Sequence, residues 1–162
     1  MKNLLLILLL ILSSCYSFRG GSLPEHIKTI QLKSIIDNSG FGNPKYKENL
    51  YNKVVEKIRN DNSLTIEDKN SDSRLTVSIT SIREETASTG AINQLEKERK
   101  ITVVVSMEFY DNIKKRIVSQ NSSLSINQIF LIAGVPNSRD EAINQCIEII
   151  SEEILNLMIA GS

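Results

Sequence analysis

The residues able to do chemistry in this chain are few and scattered. There are two cysteines, Cys15 and Cys146, and one histidine, His26. A thiol becomes a nucleophile when a neighbouring base or cation favours its thiolate. Cys146 lies in Ile143-Asn144-Gln145-Cys146-Ile147, on the apolar stripe of an expected helix, and His26 is far from it along the chain. A buried, inert thiol is the expectation; the alternative, a catalytic nucleophile, lacks its base. Glu84-Glu85 and Glu152-Glu153 are neighbouring carboxylates. Adjacent side chains point apart, so they read as solvated faces rather than an acid/base pair. There is no Ser/His/Asp set in recognisable context, no cluster at metal-ligand spacing and no Gly-rich phosphate loop after a strand. Neither catalysis nor a cofactor is expected. Two short runs of positive charge remain: Lys97, Arg99 and Lys100, and then Lys114-Lys115-Arg116. Each could hold an anion, and each could equally be the solvated end of a hairpin.

Cys15 has a different context. Met1-Lys2 gives a short positive end, and Leu4 to Leu12 is an unbroken run of Leu and Ile. Crossing a membrane takes about 20 apolar residues. This run is roughly half that, the length of a signal-peptide core; the alternative is a buried core helix. Leu12-Ser13-Ser14-Cys15 resembles the bacterial lipobox, with Leu at −3, small residues at −2 and −1, and then cysteine. In such signals the thiol is alkylated with diacylglycerol, the leader is cut before the cysteine, and the new amino group is acylated. One acyl chain holds a protein only marginally at about 0.8 kcal/mol per buried CH₂, whereas three hold durably. Residues 1–14 are therefore expected to be a lipoprotein signal peptide and Cys15 the site of lipid attachment. The alternative for Cys15 is one half of a disulfide.

Removal of residues 1–14 leaves one domain's worth of chain. The full sequence carries 19 basic and 19 acidic residues. That balance gives no global attraction to nucleic acid or to anionic lipid, so any anion binding must be local.

The elements that must position these residues follow from periodicity. Residues 15–25 form the anchor and linker, broken by Gly20-Gly21 and Pro24. Tyr16 and Phe18 within it could pack on the domain or sit at a membrane interface. Residues 26–162 form one domain. Ile27, Ile30, Leu32 and Ile35 suggest a strand with imperfect alternation, followed by a loop at residues 38–42. Asn43-Pro44 looks like an N-cap and first helical residue; Tyr46, Leu50, Val54 and Ile58 then recur every four residues to about Asn60. Leu64 and Ile66 suggest a short strand. Leu75, Val77 and Ile79 alternate with polar residues, and residues 85–97 read as a loop or hairpin tip. Ile101, Val103, Val105, Met107 and Phe109 make the cleanest period-two run, with Thr102, Val104, Ser106, Glu108 and Tyr110 on the other face. A turn at Asp111-Asn112 leads into a Ser/Asn-rich strand over 115–124, expected at an edge. Residues 126–133 are an apolar patch without an assigned structure. Ser138 and Glu141 fit a capping box before a terminal helix with its stripe on Ile143, Cys146, Ile147, Ile150, Ile154, Leu157 and Met158. The main order is β-α-β-β-β-α. The fold class is α+β: a two-layer sandwich of a small, mostly antiparallel sheet with two helices on one face.

The opening of the expected mature chain, Cys15-Tyr16-Ser17-Phe18-Arg19-Gly20-Gly21-Ser22-Leu23-Pro24-Glu25-His26-Ile27-Lys28-Thr29-Ile30, resembles the start of the lipopolysaccharide-assembly lipoproteins of the LptE family, in their Bacteroidota-type form. The resemblance continues, in pattern and order, through the helix after Asn43, the strands from Leu75 and Ile101, and the acidic terminal helix. It implies a small sheet with two helices on one face. It implies an outer-membrane lipoprotein on the periplasmic face that plugs, and supports assembly of, a large β-barrel partner, LptD, in the machine that inserts lipopolysaccharide. In some members a basic patch is linked to binding the glycolipid; no local motif here matches that patch, and Lys97, Arg99, Lys100, Lys114, Lys115 and Arg116 are the basic residues with the right chemistry for lipopolysaccharide contacts. The surfaces expected to enter the lumen are the polar tips at 85–97 and 111–115. Two alternatives stand beside it: a lipoprotein scaffold for another envelope machine, which shares every physical feature found here, and a cell-wall hydrolase, for which the sequence offers no site.

Overall fold

The computed structural model describes residues 23–87, 98–131 and 138–160. Its elements are β1 (Thr29–Leu32), β2 (Ile36–Asp37), α1 (Pro44–Asp61), β3 (Thr65–Ile66), β4 (Ser73–Thr86), β5 (Glu98–Asp111), β6 (Arg116–Leu131) and α2 (Ser138–Ala160). The sheet order is β3-β1-β4-β5-β6, with β2 pairing β4 beyond the end of β1. The three long strands pair antiparallel, as their short connections require. The short strands β1, β2 and β3 pair parallel, because α1 returns the chain across the sheet between β1 and β3. The sheet is thus mixed, with antiparallel pairing along most of its length.

Helix α1 begins as its sequence dictates. The Asn43 side chain accepts a hydrogen bond from Lys45 N at 3.1 Å, Pro44 fills the first turn, and Asn62 closes the helix in a left-handed conformation. Its buried residues are Tyr46, Leu50, Val54 and Ile58. Helix α2 buries Ile143, Cys146, Ile147, Ile150, Ile154 and Met158. Both stripes lie over the sheet face formed by Ile30, Leu75, Val77, Ile79, Ile101, Val103, Val105 and Phe109, and together they make one core. Between the helices, Glu148 receives Lys53 at 2.9 Å and Lys57 at 2.8 Å, and Asn49 Nδ2 donates to Asn144.

The main order β-α-β-β-β-α stands for the main elements; the short strand suggested by Leu64 and Ile66 is β3, and the two-residue β2, too short to carry periodicity, is added to it. Three expectations need correction. The strand expected to span 26–35 is only Thr29–Leu32. The strand expected over 115–124 runs on to Leu131, and the apolar patch at 126–131 is its second half. There Leu124, Ile126 and Phe130 turn towards the helices while Ser125, Asn127 and Ile129 turn away. A register shift between Val105 and Met107 breaks the phase before this segment and hides its alternation from the sequence. At the start of α2, the Ser138 hydroxyl donates to the Leu131 carbonyl at 2.8 Å, tying the helix to the end of β6 rather than serving the expected capping box. The tip at 88–97, with Lys97, lies outside the described residues.

Candidate functional surfaces

Among the described residues, helices cover one face of the sheet and leave the other open. On β5 the open face presents Lys100, Thr102, Val104, Ser106, Glu108 and Tyr110, each half-buried. Beside them stand Thr76 and Ser78 of β4 and Gln120, Ser125 and Asn127 of β6. Hydroxyl and amide groups dominate this face. Register shifts at Ile79/Ser81 and at Val105/Met107 bend it into a shallow depression of about 260 Å³. Its outer border is β6, whose far edge carries no strand among the described residues. From Ile117 to Leu131 this edge strand has no charged residue and no proline, which are two of the usual means of keeping an edge from pairing. Ile129 is 60% exposed on the same strand. A second cleft, of about 490 Å³, lies between α1 and the β1–β2 connection, with Leu32, Ile35 and Tyr51 as its apolar floor and Lys47 and Glu48 among its lining residues.

The two basic runs are at opposite ends of β5. At about 3.3 Å per residue, its 14 residues separate them by roughly 43 Å, so they cannot grip one headgroup together. At the start of β5 the cations are largely matched. Lys100 meets Glu85 at 3.1 Å, Arg99 lies 3.8 Å from Glu84, and Glu84 also holds Arg139 at 3.0 Å. Glu84 and Glu85 serve different partners, as neighbouring strand residues should. At the other end, Lys114, Lys115 and Arg116 are exposed on the β5–β6 turn. Among the described residues none of these three side chains makes an ion pair.

That turn is built on a buried carboxylate. Asp111 has no exposed side-chain surface. Its Oδ1 accepts the Ile113 and Lys114 amides at 2.8 Å each, and its Oδ2 accepts from His26 Nε2 at 2.7 Å. Burial alone would raise the Asp111 carboxyl; these hydrogen bonds outweigh it and hold the group below the usual carboxylate range. Asn112 is equally committed. Its amide donates to Ser71 O at 2.9 Å and its carbonyl oxygen accepts from Arg74, whose guanidinium stacks 3.6 Å over the Tyr110 ring. Asp72 accepts the Lys28 and Thr29 amides, which hold its carboxyl below the usual range. The chain therefore enters the domain pinned to the β3–β4 and β5–β6 turns. The sequence singled out His26 and the Asp111-Asn112 turn separately but gave no sign that they meet, being 85 residues apart.

Cys146 is fully buried against β5, and burial pushes its thiol up to about 11. With so little thiolate it is not an activated nucleophile. His26 sits on Asp111 instead, and no base reaches the thiol among the described residues.

The comparisons with known proteins agree with this architecture. The family model described as LptE, lipopolysaccharide-assembly, matches residues 27–158. Among curated proteins none matches the chain by sequence. A crystal structure of a Xanthomonas campestris protein is similar with a TM-score of 0.61 at 10% identity, covering 86% of this chain and 90% of its own. The rare lipoprotein B of Shewanella oneidensis is similar with a TM-score of 0.52 at 18% identity, covering 79% and 92%. A minor lipoprotein of Acinetobacter baumannii gives 0.53 at 9% identity, covering 82% and 93%. At these identities the likeness is one of fold.

Proposed function

The chain belongs to the LptE, lipopolysaccharide-assembly, family, and from that premise we propose that it is an outer-membrane lipoprotein, anchored through Cys15 on the periplasmic face. Its role is to plug an LptD-type β-barrel and support that barrel's assembly. The work is binding, not turnover. One observation supports this most: the open, hydroxyl- and amide-rich sheet face bordered by the edge strand β6, which is uncharged from Ile117 to Leu131. A plug must stay soluble before it meets its partner and must then lie against the polar interior of a large barrel. A face dominated by hydroxyls and amides suits both, because most of its groups offer hydrogen bonds without a charge to desolvate.

The end of the sheet far from His26 is the one that would lead into the lumen. It holds Thr86, Glu98 and Leu131. Lys97, Arg99 and Lys100 go with that end as the contacts proposed for the glycolipid. The ion pairs of Arg99 and Lys100 with Glu84 and Glu85 are partly exposed and worth at most about 1 kcal/mol, so a phosphate can displace them. The 111–115 turn, expected from sequence as a second lumen probe, lies beside the chain's entry point at His26, and this reading gives the lumen to the opposite end.

A plug that binds only the folded or folding barrel stabilises it by mass action. Depletion of this protein should lower the amount of mature barrel and leave lipopolysaccharide behind the outer membrane. Normal barrel levels after depletion would contradict the proposal. Copurification with a different envelope complex would favour the scaffold alternative.

A further inference from the structure

We propose that the β5–β6 turn is a contact for an anionic bilayer surface, set beside the lipid anchor so that the domain stands end-on at the membrane. Exposed residues Ile113, Lys114, Lys115, Arg116 and Ile117 follow one another, three cations between two isoleucines exposed by 53% and 45%. Such a sequence suits a headgroup layer, with the cations at the phosphates and the apolar side chains among the upper acyl segments.

Three observations point to a bilayer as the occupant. First, the turn is rigid: Asp111 holds the Ile113 and Lys114 amides, Asn112 is held by Ser71 and Arg74, and Lys115 takes a left-handed φ of 54°. Both isoleucines are therefore presented at no further ordering cost to the backbone. Second, the charge is available. Asp111 and Asp72 are spent on backbone amides and His26, Glu25 stands exposed beside His26, and the three cations have no carboxylate partner among the described residues. Third, the tether keeps this end close. His26 joins the entering chain to Asp111 at 2.7 Å. Residues 15–22 can span at most about 28 Å at 3.3–3.6 Å per residue, less than the roughly 43 Å from this turn to the far end of β5. The turn is thus held near the surface that receives Cys15, whereas the opposite end extends away from it. The last point rests on the proposed anchor.

The test uses the native mature protein with Ile113→Cys, labelled with an environment-sensitive fluorophore; buried Cys146 stays unlabelled. The protein is placed in phosphatidylcholine vesicles with and without phosphatidylglycerol, and intact mass on the same sample reads acylation at Cys15. The expected result is bright, blue-shifted emission with phosphatidylglycerol, quenched by spin-labelled lipid and reversed by salt. A label at Asn127→Cys should stay unquenched. At roughly fivefold per cation, K114Q/K115Q/R116Q should lower the bound-to-free ratio about 100-fold. Absence of quenching in an acylated sample would overturn the bilayer contact and leave the anchor standing. In an unacylated sample, where Cys15 would be a free thiol, the reading is taken with Cys15→Ser added so that only position 113 is labelled: quenching there would sustain the contact and sink the anchor, and no quenching would sink both. A signal that requires lipopolysaccharide in the vesicles, and is absent with phosphatidylglycerol, would make the turn a glycolipid site and overturn the proposal.

Discussion

Strand β5 carries two opposite solutions on its two faces. Towards the helices, Ile101, Val103, Val105 and Phe109 are fully buried. Away from them, Thr102, Val104, Ser106, Glu108 and Tyr110 lie in the open, with β4 and β6 adding more hydroxyls and amides. The backbone and its hydrogen bonds are shared, so the difference is one of side chains alone. One face holds the fold together, and the other is free to meet a partner. Changes on the two should therefore separate stability from recognition.

The largest effect belongs to the covered face. Phe109→Ala removes the bulkiest fully buried side chain and should cost about 3–5 kcal/mol, read as a lower urea midpoint at unchanged slope. Next comes the turn that ends the strand. Asp111→Ala strips two amides and His26 of their acceptor and should cost about 1–3 kcal/mol. Because the folded Asp111 carboxyl is lowered, its contribution is present above the unfolded value of about 3.9. It is lost as the pH falls through the lower folded value. The stability gap between wild type and Asp111→Asn should hold at neutral pH and close in strong acid. A gap that widened on acidification would contradict the burial and bonding described for Asp111.

Smaller still is the seam between the helices. Glu148 is lowered by hydrogen bonds from Lys57 and then Lys53, but the groups are partly exposed. Glu148→Gln should cost under about 1 kcal/mol and less in high salt. Least of all, Ser106→Ala on the open face should change stability by no more than about 0.5 kcal/mol. If Ser106→Ala destabilised as much as Phe109→Ala, the two faces would not differ as described. Cys146 gives an independent check of burial. Its thiol should resist alkylation in the native protein and react on denaturation; rapid native labelling would contradict its placement.

How much of this was legible in the sequence follows from periodicity. The four-residue spacing of Tyr46, Leu50, Val54 and Ile58, and the alternation from Ile101 to Phe109, are strong local signals, and both elements stand where expected. The signal failed where a bulge shifts the phase. At Ile79/Ser81 the inward position passes to Ile82, and at Val105/Met107 it passes to Leu124, so the ends of β4 and β6 did not announce themselves. Two-residue strands such as β2 exist only through tertiary pairing with β4. The basic runs were visible as runs, but nothing local told which would be matched by Glu84 and Glu85 and which left bare. The His26–Asp111 bond was invisible for the same reason: it joins residues that only the folded sheet brings together.

The central claim is that the open face is the one that meets the barrel. Photocrosslinkers at Asn127, on the open face, and at Glu152, exposed on the helical side, test it within one experiment in cells. Capture of the large outer-membrane barrel from Asn127 and not from Glu152 is the expected result. Capture from Glu152 alone, in protein that is acylated and folded, would contradict it.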